Sequence, residues 1–221
     1  MLDAVDRWLE TLLTERLGGI WQLSRASGVV DLRLAGSESR IRLQSSSPGI
    51  FDVTNSEVPC SSWDAEREGW RSIIGAPLPA PGLSFVPDRL IQRDTDGFLI
   101  RYGVLDMFYW VLSRLEEIDS IGVDQHGRFM ARHSHAFRHG YLDRPVVDEW
   151  FDVLGQVAAR LWPAFVRKQN TFSLKLSHDV DRPSRYGFSS ASTFAYRVIR
   201  DILKGRLSSI ATGPWVRYRS G

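Results

Sequence analysis

Cysteine occurs once in 221 residues, as Cys60, so no disulfide can form within the chain. Apolar runs are short, and none approaches the ~20 residues that span a bilayer. No membrane span is therefore predicted. The start, Met1-Leu2-Asp3-Ala4-Val5-Asp6, carries acid where a secretory signal needs a basic region, so a cytoplasmic location is the expectation. Histidine is scarce too: there are five, and none follows His178. What remains is ordinary for a globular chain, with 43% hydrophobic and 24% charged residues, which excludes wholesale disorder. At ~150 residues per domain, one or two domains fit.

The formal net charge of +2 conceals a division. Residues 167–221 hold eleven basic and three acidic side chains, a net of +8, which leaves 1–166 at −6. A basic tail suits an anionic polymer. No nucleic-acid motif accompanies it, so nucleic acid is not the expected partner, and the tail reads as part of a larger domain.

Periodicity places the elements. Val5, Trp8, Leu9, Leu12 and Leu13 predict an amphipathic helix over 3–17, ended by Gly18-Gly19. Alternation predicts strands over 28–34 and 39–43, joined by a turn at Ala35-Gly36-Ser37-Glu38. Further strands are predicted over 50–54 and 98–102. Prolines at 59, 77, 79, 81 and 87 forbid a long element between 55 and 97, where Trp63 and Trp70 would pin the chain to a core. Helices are predicted over 104–117 and 146–162. Their apolar faces place Phe108, Leu112, Trp150, Leu154 and Leu161 together. A strand over Thr171–Ser177 and a helix over 192–204 follow, and 205–221 shows no pattern. The fold class is thus α/β, with an N-terminal domain over 1–165 and a second segment over 170–221.

The strand predicted over 171–177 runs into His178-Asp179-Val180-Asp181-Arg182-Pro183. Carboxylates two apart at a strand end can converge on one point. One can then hold a divalent metal while the other takes a proton from bound water. The same pair also fits a solvated turn, with Asp179 capping and Asp181 paired to Arg182 or Arg185.

Ser177-His178-Asp179-Val180-Asp181-Arg182-Pro183 resembles the first motif of the polysaccharide deacetylase family (carbohydrate esterase family 4) in its Asp-x-Asp variant. The preceding stretch resembles a domain of unknown function found upstream of the barrel in some bacterial members. Its marks are Tyr109-Trp110 through Arg114-Leu115-Glu116-Glu117, then His126-Gly127-Arg128-Phe129, then Arg138-His139-Gly140-Tyr141-Leu142-Asp143-Arg144-Pro145 and on to Trp150. The resemblance implies a distorted (β/α) barrel that removes acetyl groups from a polysaccharide or its precursor with a divalent metal, typically zinc. It makes Asp179 the catalytic base and Asp181 a metal ligand, with His178, Arg182, Arg138 and His139 in supporting places. It also implies a later His-x(3–5)-His pair for the metal, which this chain lacks. A barrel needs ~200 residues, and 40 follow Asp181. The segment from 170 is therefore expected to be the opening βα unit of an incomplete barrel, with weak metal binding and little catalysis by this chain alone. A fragment, a truncated reading frame and half of a split gene all fit. The rival expectation is a non-catalytic scaffold that binds a glycan or a protein.

Other candidates are weaker. His135 and His139 have the spacing of a helical metal pair, with His133 nearby; alternatively, Arg138 and His139 hold a loop in place. Of Glu116 and Glu117, one is expected to pair with Arg114 or a loop arginine and the other to face water. Cys60 lacks a neighbouring base and reads as inert. Trp8, Trp110, Trp150 and Trp162 read as core, while Trp63, Trp70 and Trp215 are candidates for stacking on sugar rings.

Overall fold

The computed structural model describes residues 2–45, 52–75, 77–119, 122–169, 171–177, 185–186 and 189–220. They fall into two compact units, 1–170 and 171–221. Helices and sheets both occur, so the chain is mixed α/β.

In the first unit, α1 (Leu2–Leu17) precedes a meander of β1 (Trp21–Ala26), β2 (Val29–Leu34) and β3 (Arg40–Gln44). β4 (Cys60–Trp63) and β5 (Leu78–Pro81) pair with each other as a separate sheet. β6 (Ile91–Asp94) and β7 (Gly97–Ile100) form a hairpin, and β7 lies parallel to β3. The large sheet has the order β1-β2-β3-β7-β6. The helices α2 (Val104–Leu112), α3 (His135–Arg138) and α4 (Val146–Leu161) follow.

Register explains which face is buried. Leu32, Ile41 and Phe98 lie side by side across three strands, and Val30, Leu43, Ile100 and Ile91 form the next row. All seven are buried in one core with Leu9, Leu13 and Leu17 of α1 and Val153, Leu154 and Val157 of α4. Each such side chain contributes about 1.5–3 kcal/mol on burial. Alternation sends Asp31, Arg40 and Arg42 to the other face. There Arg40 bridges Asp31 and Asp96, both at 2.8 Å, and Arg42 pairs with Asp94. Gly97 sits at the β3–β7 junction with φ +156, and a Cβ there would lie 1.9 Å from the Arg40 carbonyl oxygen. Only glycine lets the two backbones approach so closely.

Several elements differ from expectation. The helix over 104–117 ends at Leu112, because Arg114 takes a left-handed φ of 53 and a 3-10 turn, Leu115–Glu117, follows. Leu112 is then 43% exposed, while Phe108, Trp150 and Leu154 are buried and Leu161 packs partly buried against the core. Ile50 and Phe51 lie outside the described residues, and 52–54 form no strand. β4, β5 and β6 form in the proline-rich stretch. Pro79 and Pro81 are tolerated because a two-stranded sheet consists only of edges.

The second unit contains α5 (Ala191–Leu203) and α6 (Leu207–Ser220). The Ser190 hydroxyl caps α5, accepting the Thr193 N–H. The strand expected over 171–177 does not form. A strand needs a hydrogen-bonded neighbour, and the described residues of this unit supply none; Phe172, Leu174 and Leu176 are 92%, 71% and 81% exposed. Residues 207–220, expected to lack pattern, are helical. Pro214 lies inside α6, and Gly213 allows the helix to lie against the Tyr186 ring, where a Cβ would come within 3.3 Å.

Leu154→Ala should lose about 2–5 kcal/mol of stability through its cavity, whereas Leu112→Ala should lose less than ~1 kcal/mol. Denaturant unfolding followed by circular dichroism distinguishes the two. Equal losses would contradict the assigned helix faces.

Candidate functional site

Of the six residues singled out from the deacetylase resemblance, His178, Asp179, Asp181 and Arg182 lie outside the described residues. Arg138 and His139 are described, and they belong to a polar cluster around α3.

The cluster is built from short-range features. Ser134 caps the single turn of α3, its hydroxyl accepting the Phe137 N–H at 3.1 Å. The His135 N–H, left open at the helix start, donates to Glu116 at 2.6 Å. Glu116 is placed there by the 3-10 turn that follows the left-handed Arg114. Burial pushes its pKa up, and the hydrogen bond from His135 opposes that rise. Glu117, beside it, forms a two-pronged pair with Arg114. Glu116 is thus half-buried and engaged, not solvated as the sequence suggested.

His135 is fully buried. Its Nε2 lies 2.9 Å from the Val58 carbonyl, which can only accept, so Nε2 carries the proton. Its Nδ1 is left to accept from the Tyr141 hydroxyl. The Trp110 ring meets it edge-on at 5.2 Å and the His139 ring lies 4.3 Å away. Burial first, and the neighbouring His139 second, push the His135 pKa down to about 4. Both ring nitrogens are occupied, so this imidazole offers no lone pair to a metal. His139 is exposed, its pKa lowered by desolvation and by Arg138. The metal pair suggested by their spacing is therefore not formed, and no group of three or more potential metal ligands occurs among the described residues. Arg138 donates to the Ser56 carbonyl at 3.0 Å, the Ser56 hydroxyl at 3.1 Å and Glu57 at 2.9 Å. It ties α3 to residues 56 and 57, whereas the sequence suggested that it holds its loop onto the two long helices.

The other candidates resolve by burial. Trp63 and Trp70 are buried and cannot serve as sugar platforms. Trp63 stacks on Trp150 at 5.2 Å, and Arg160 lies over Trp70 at 3.8 Å. Trp215 is 59% exposed, with Arg219 over its ring. Trp110, Trp150 and Trp162 are buried, whereas Trp8 is 39% exposed. Burial pushes the Cys60 thiol up to about 11, consistent with an inert residue. Sequence reasoning missed Asp201, which is fully buried in the second unit. It accepts the Arg185 guanidinium and the Tyr186 hydroxyl, holding α5 to residues 185–186. Arg185 pairs with Asp201; its expected partner Asp181 lies outside the described residues. The available signal was that Asp201 is the only acid of α5.

The His135 ring stays neutral when folded, with a pKa of about 4 against an ordinary 6.5. Between those values the unfolded chain binds a proton that the folded chain does not. Stability should therefore fall as pH drops from about 6.5 towards 4, by up to about 3 kcal/mol. His135→Gln keeps a donor for Val58 and an acceptor for Tyr141 but does not titrate. Its stability profile should be flatter over that window. Parallel profiles would contradict the neutral buried ring.

A family model described as a family of unknown function (DUF7033) matches residues 35–163, from the β2–β3 turn through α4. No curated protein and no solved structure matches the chain. With more than half its length matched, the chain belongs to the DUF7033 family.

Proposed function

We propose that the chain is the N-terminal part of a polysaccharide deacetylase-like protein. In this reading the first unit is a non-catalytic module, and residues from 171 begin the (β/α) barrel that hydrolyses acetyl groups on a bacterial glycan. The observation that carries the proposal is Ser177-His178-Asp179-Val180-Asp181-Arg182-Pro183, placed between an alternating Phe172-Leu174-Leu176 run and the amphipathic α5. In sequence, an alternating run, an acidic pair and a helix stand in the order of a βα unit, whose chemistry sits at the strand's C-terminal end. The exposed alternating side chains suit a strand that a neighbouring strand would flank.

Asp179 would act as base and Asp181 as a metal ligand. A divalent metal would polarise the acetyl carbonyl and lower the pKa of the attacking water. The donor set does not suffice for it. Zinc takes three or four nitrogen, sulfur or oxygen ligands; beyond Asp181, His135 has both nitrogens engaged and no histidine follows His178. No catalytic step is therefore assigned to this chain by itself. Its own residues hold the motif's flank, through the Arg185–Asp201 pair, and build the module that precedes it.

The alternative reading is a scaffold that binds a glycan or protein without chemistry. It is favoured by the inward-facing use of His135, Tyr141 and Glu116, which leaves the α3 cluster structural.

The expected result of an acetate-release assay on acetylated oligosaccharides, with added divalent metal, is no turnover above that of Asp179→Asn. Turnover that Asp179→Asn abolishes would overturn the non-catalytic assignment. The deacetylase reading itself is checked on the nucleotide sequence beyond Gly221. A continuation, in frame or shifted, that encodes His-x(3–5)-His supports it, and a continuation encoding an unrelated domain removes it.

A further inference from the structure

We infer that two clefts flanking the 82–89 loop of the first unit form one groove for a neutral oligosaccharide. This rests on the glycan reading above and names a site for it. One cleft, of about 440 Å³, is lined by Asp64, Arg67, Asp88 and Arg89; the other, of about 370 Å³, by Gln44, Ser84, Phe85 and Arg101. Each is within the size range of a small-ligand site. Pro87 lines both, so a single loop is the wall between them, and a ligand crossing it touches both sides. An extended polymer fits that layout better than one compact molecule.

The groove is held rigid from beneath. Glu68 accepts the Trp63 indole N–H at 2.8 Å and the Leu90 and Ile91 N–H groups at 2.8 and 3.0 Å. This fixes the floor of the first cleft and the exit of the loop into β6. The Gly82 N–H donates to Pro59 at 2.7 Å, fixing the loop's entry, and the Tyr102 hydroxyl donates to Pro81 at 2.8 Å under the second cleft. The wall between these anchors carries Phe85, which is 74% exposed.

The chemistry of the lining selects the ligand. In the first cleft Arg67 and Arg89 stand with Asp64 and Asp88, while the second carries Arg101 among the neutral Gln44, Ser84 and Tyr102. A polyanion would meet the Asp64 and Asp88 carboxylates in the first cleft, so neither nucleic acid nor an acidic polymer suits the whole groove. Hydroxyl and acetamido groups donate to carboxylates and accept from guanidinium groups, so a neutral saccharide uses both signs. The apolar face of a pyranose ring can lie on the exposed Phe85 ring.

The probe is penta-N-acetylchitopentaose, titrated into the full chain by calorimetry and by amide chemical-shift mapping. Binding should move amides of residues 62–68 and 82–89. It should be about three- to ten-fold weaker in Phe85→Ala and in Arg101→Ala. Phe137→Ala removes another exposed aromatic ring, outside both clefts, and should bind as the parent does. Equal affinity in all three variants, or shifts confined to other residues, would overturn the groove while leaving a glycan-binding module in place. Absence of binding at millimolar ligand, or tighter binding of a polyuronate, would overturn the neutral-saccharide assignment. The Asp179-dependent assay and the downstream sequence are read independently of these results.

Discussion

The first unit depends on the stacking of Trp150. Its ring lies on Trp63 at 5.2 Å and against Tyr102 at 4.7 Å, and its indole N–H donates to the Pro79 carbonyl at 2.7 Å. Four elements meet at that point: α4, β4, β5 and the chain leaving β7. The stretch from 55 to 97 has too many prolines to hold itself together by helix or long strand. Aromatic area gives the irregular chain a large burial gain, and each indole N–H fixes its position through one directed bond. Three other tryptophans repeat the device. Trp110 donates to Val53, Trp162 to Ser37 and Trp21 to Gly18. Each ties a helix or strand to a loop residue.

Charge is used in the same inward direction. Glu149 is buried in α4 and held by Arg144, which also donates to the Pro77 carbonyl at 2.7 Å. Asp152 pairs with Arg167, and Asp106 with Arg25 and Ser45. Breaking one partner of such a pair leaves an uncompensated charge, which costs far more than the pair contributes. These contacts specify which loop lies against which helix. The His135–Tyr141–Glu116 cluster belongs to this set: its polar atoms face one another and the backbone, not solvent. The family marks Arg138, Tyr141 and Arg144 are thereby accounted for by packing.

In the second unit the corresponding point is Asp201, whose carboxylate gathers Arg185, Tyr186 and, at 3.8 Å, Arg206. Its hydrogen bonds from Arg185 and Tyr186 hold its pKa below the usual carboxylate range. Residues 171–221 hold nine basic and three acidic side chains, and the α5 acid among them is already committed. Arg197, which donates to the Arg185 carbonyl, and Arg200 lie in α5, and Lys204 follows its last turn.

The sequence by itself determined the elements with strong local periodicity. α1, β2, β3, α4 and α5 were legible because one face of each is apolar at helical or strand spacing, and that spacing is a property of the chain alone. Charge and the Asp-x-Asp motif suggested a division into two parts. The tertiary structure decided what depends on partners distant in sequence. β4 and β5 exist only by pairing with each other, and the alternation of residues 171–177 yields no strand without a neighbour. The end of α2 at Leu112 is set by the turn at Arg114, which periodicity does not register. At the candidate site, spacing made His135 and His139 a metal pair; the Val58 carbonyl, 77 residues away, occupies the nitrogen that spacing had left free. Trp63 and Trp70 were legible as pins, but only the stack on Trp150 and the Arg160 contact excluded them as sugar platforms. Local pattern fixes secondary structure because it is short-ranged. The availability of a side chain for chemistry is fixed by whatever the fold brings against it.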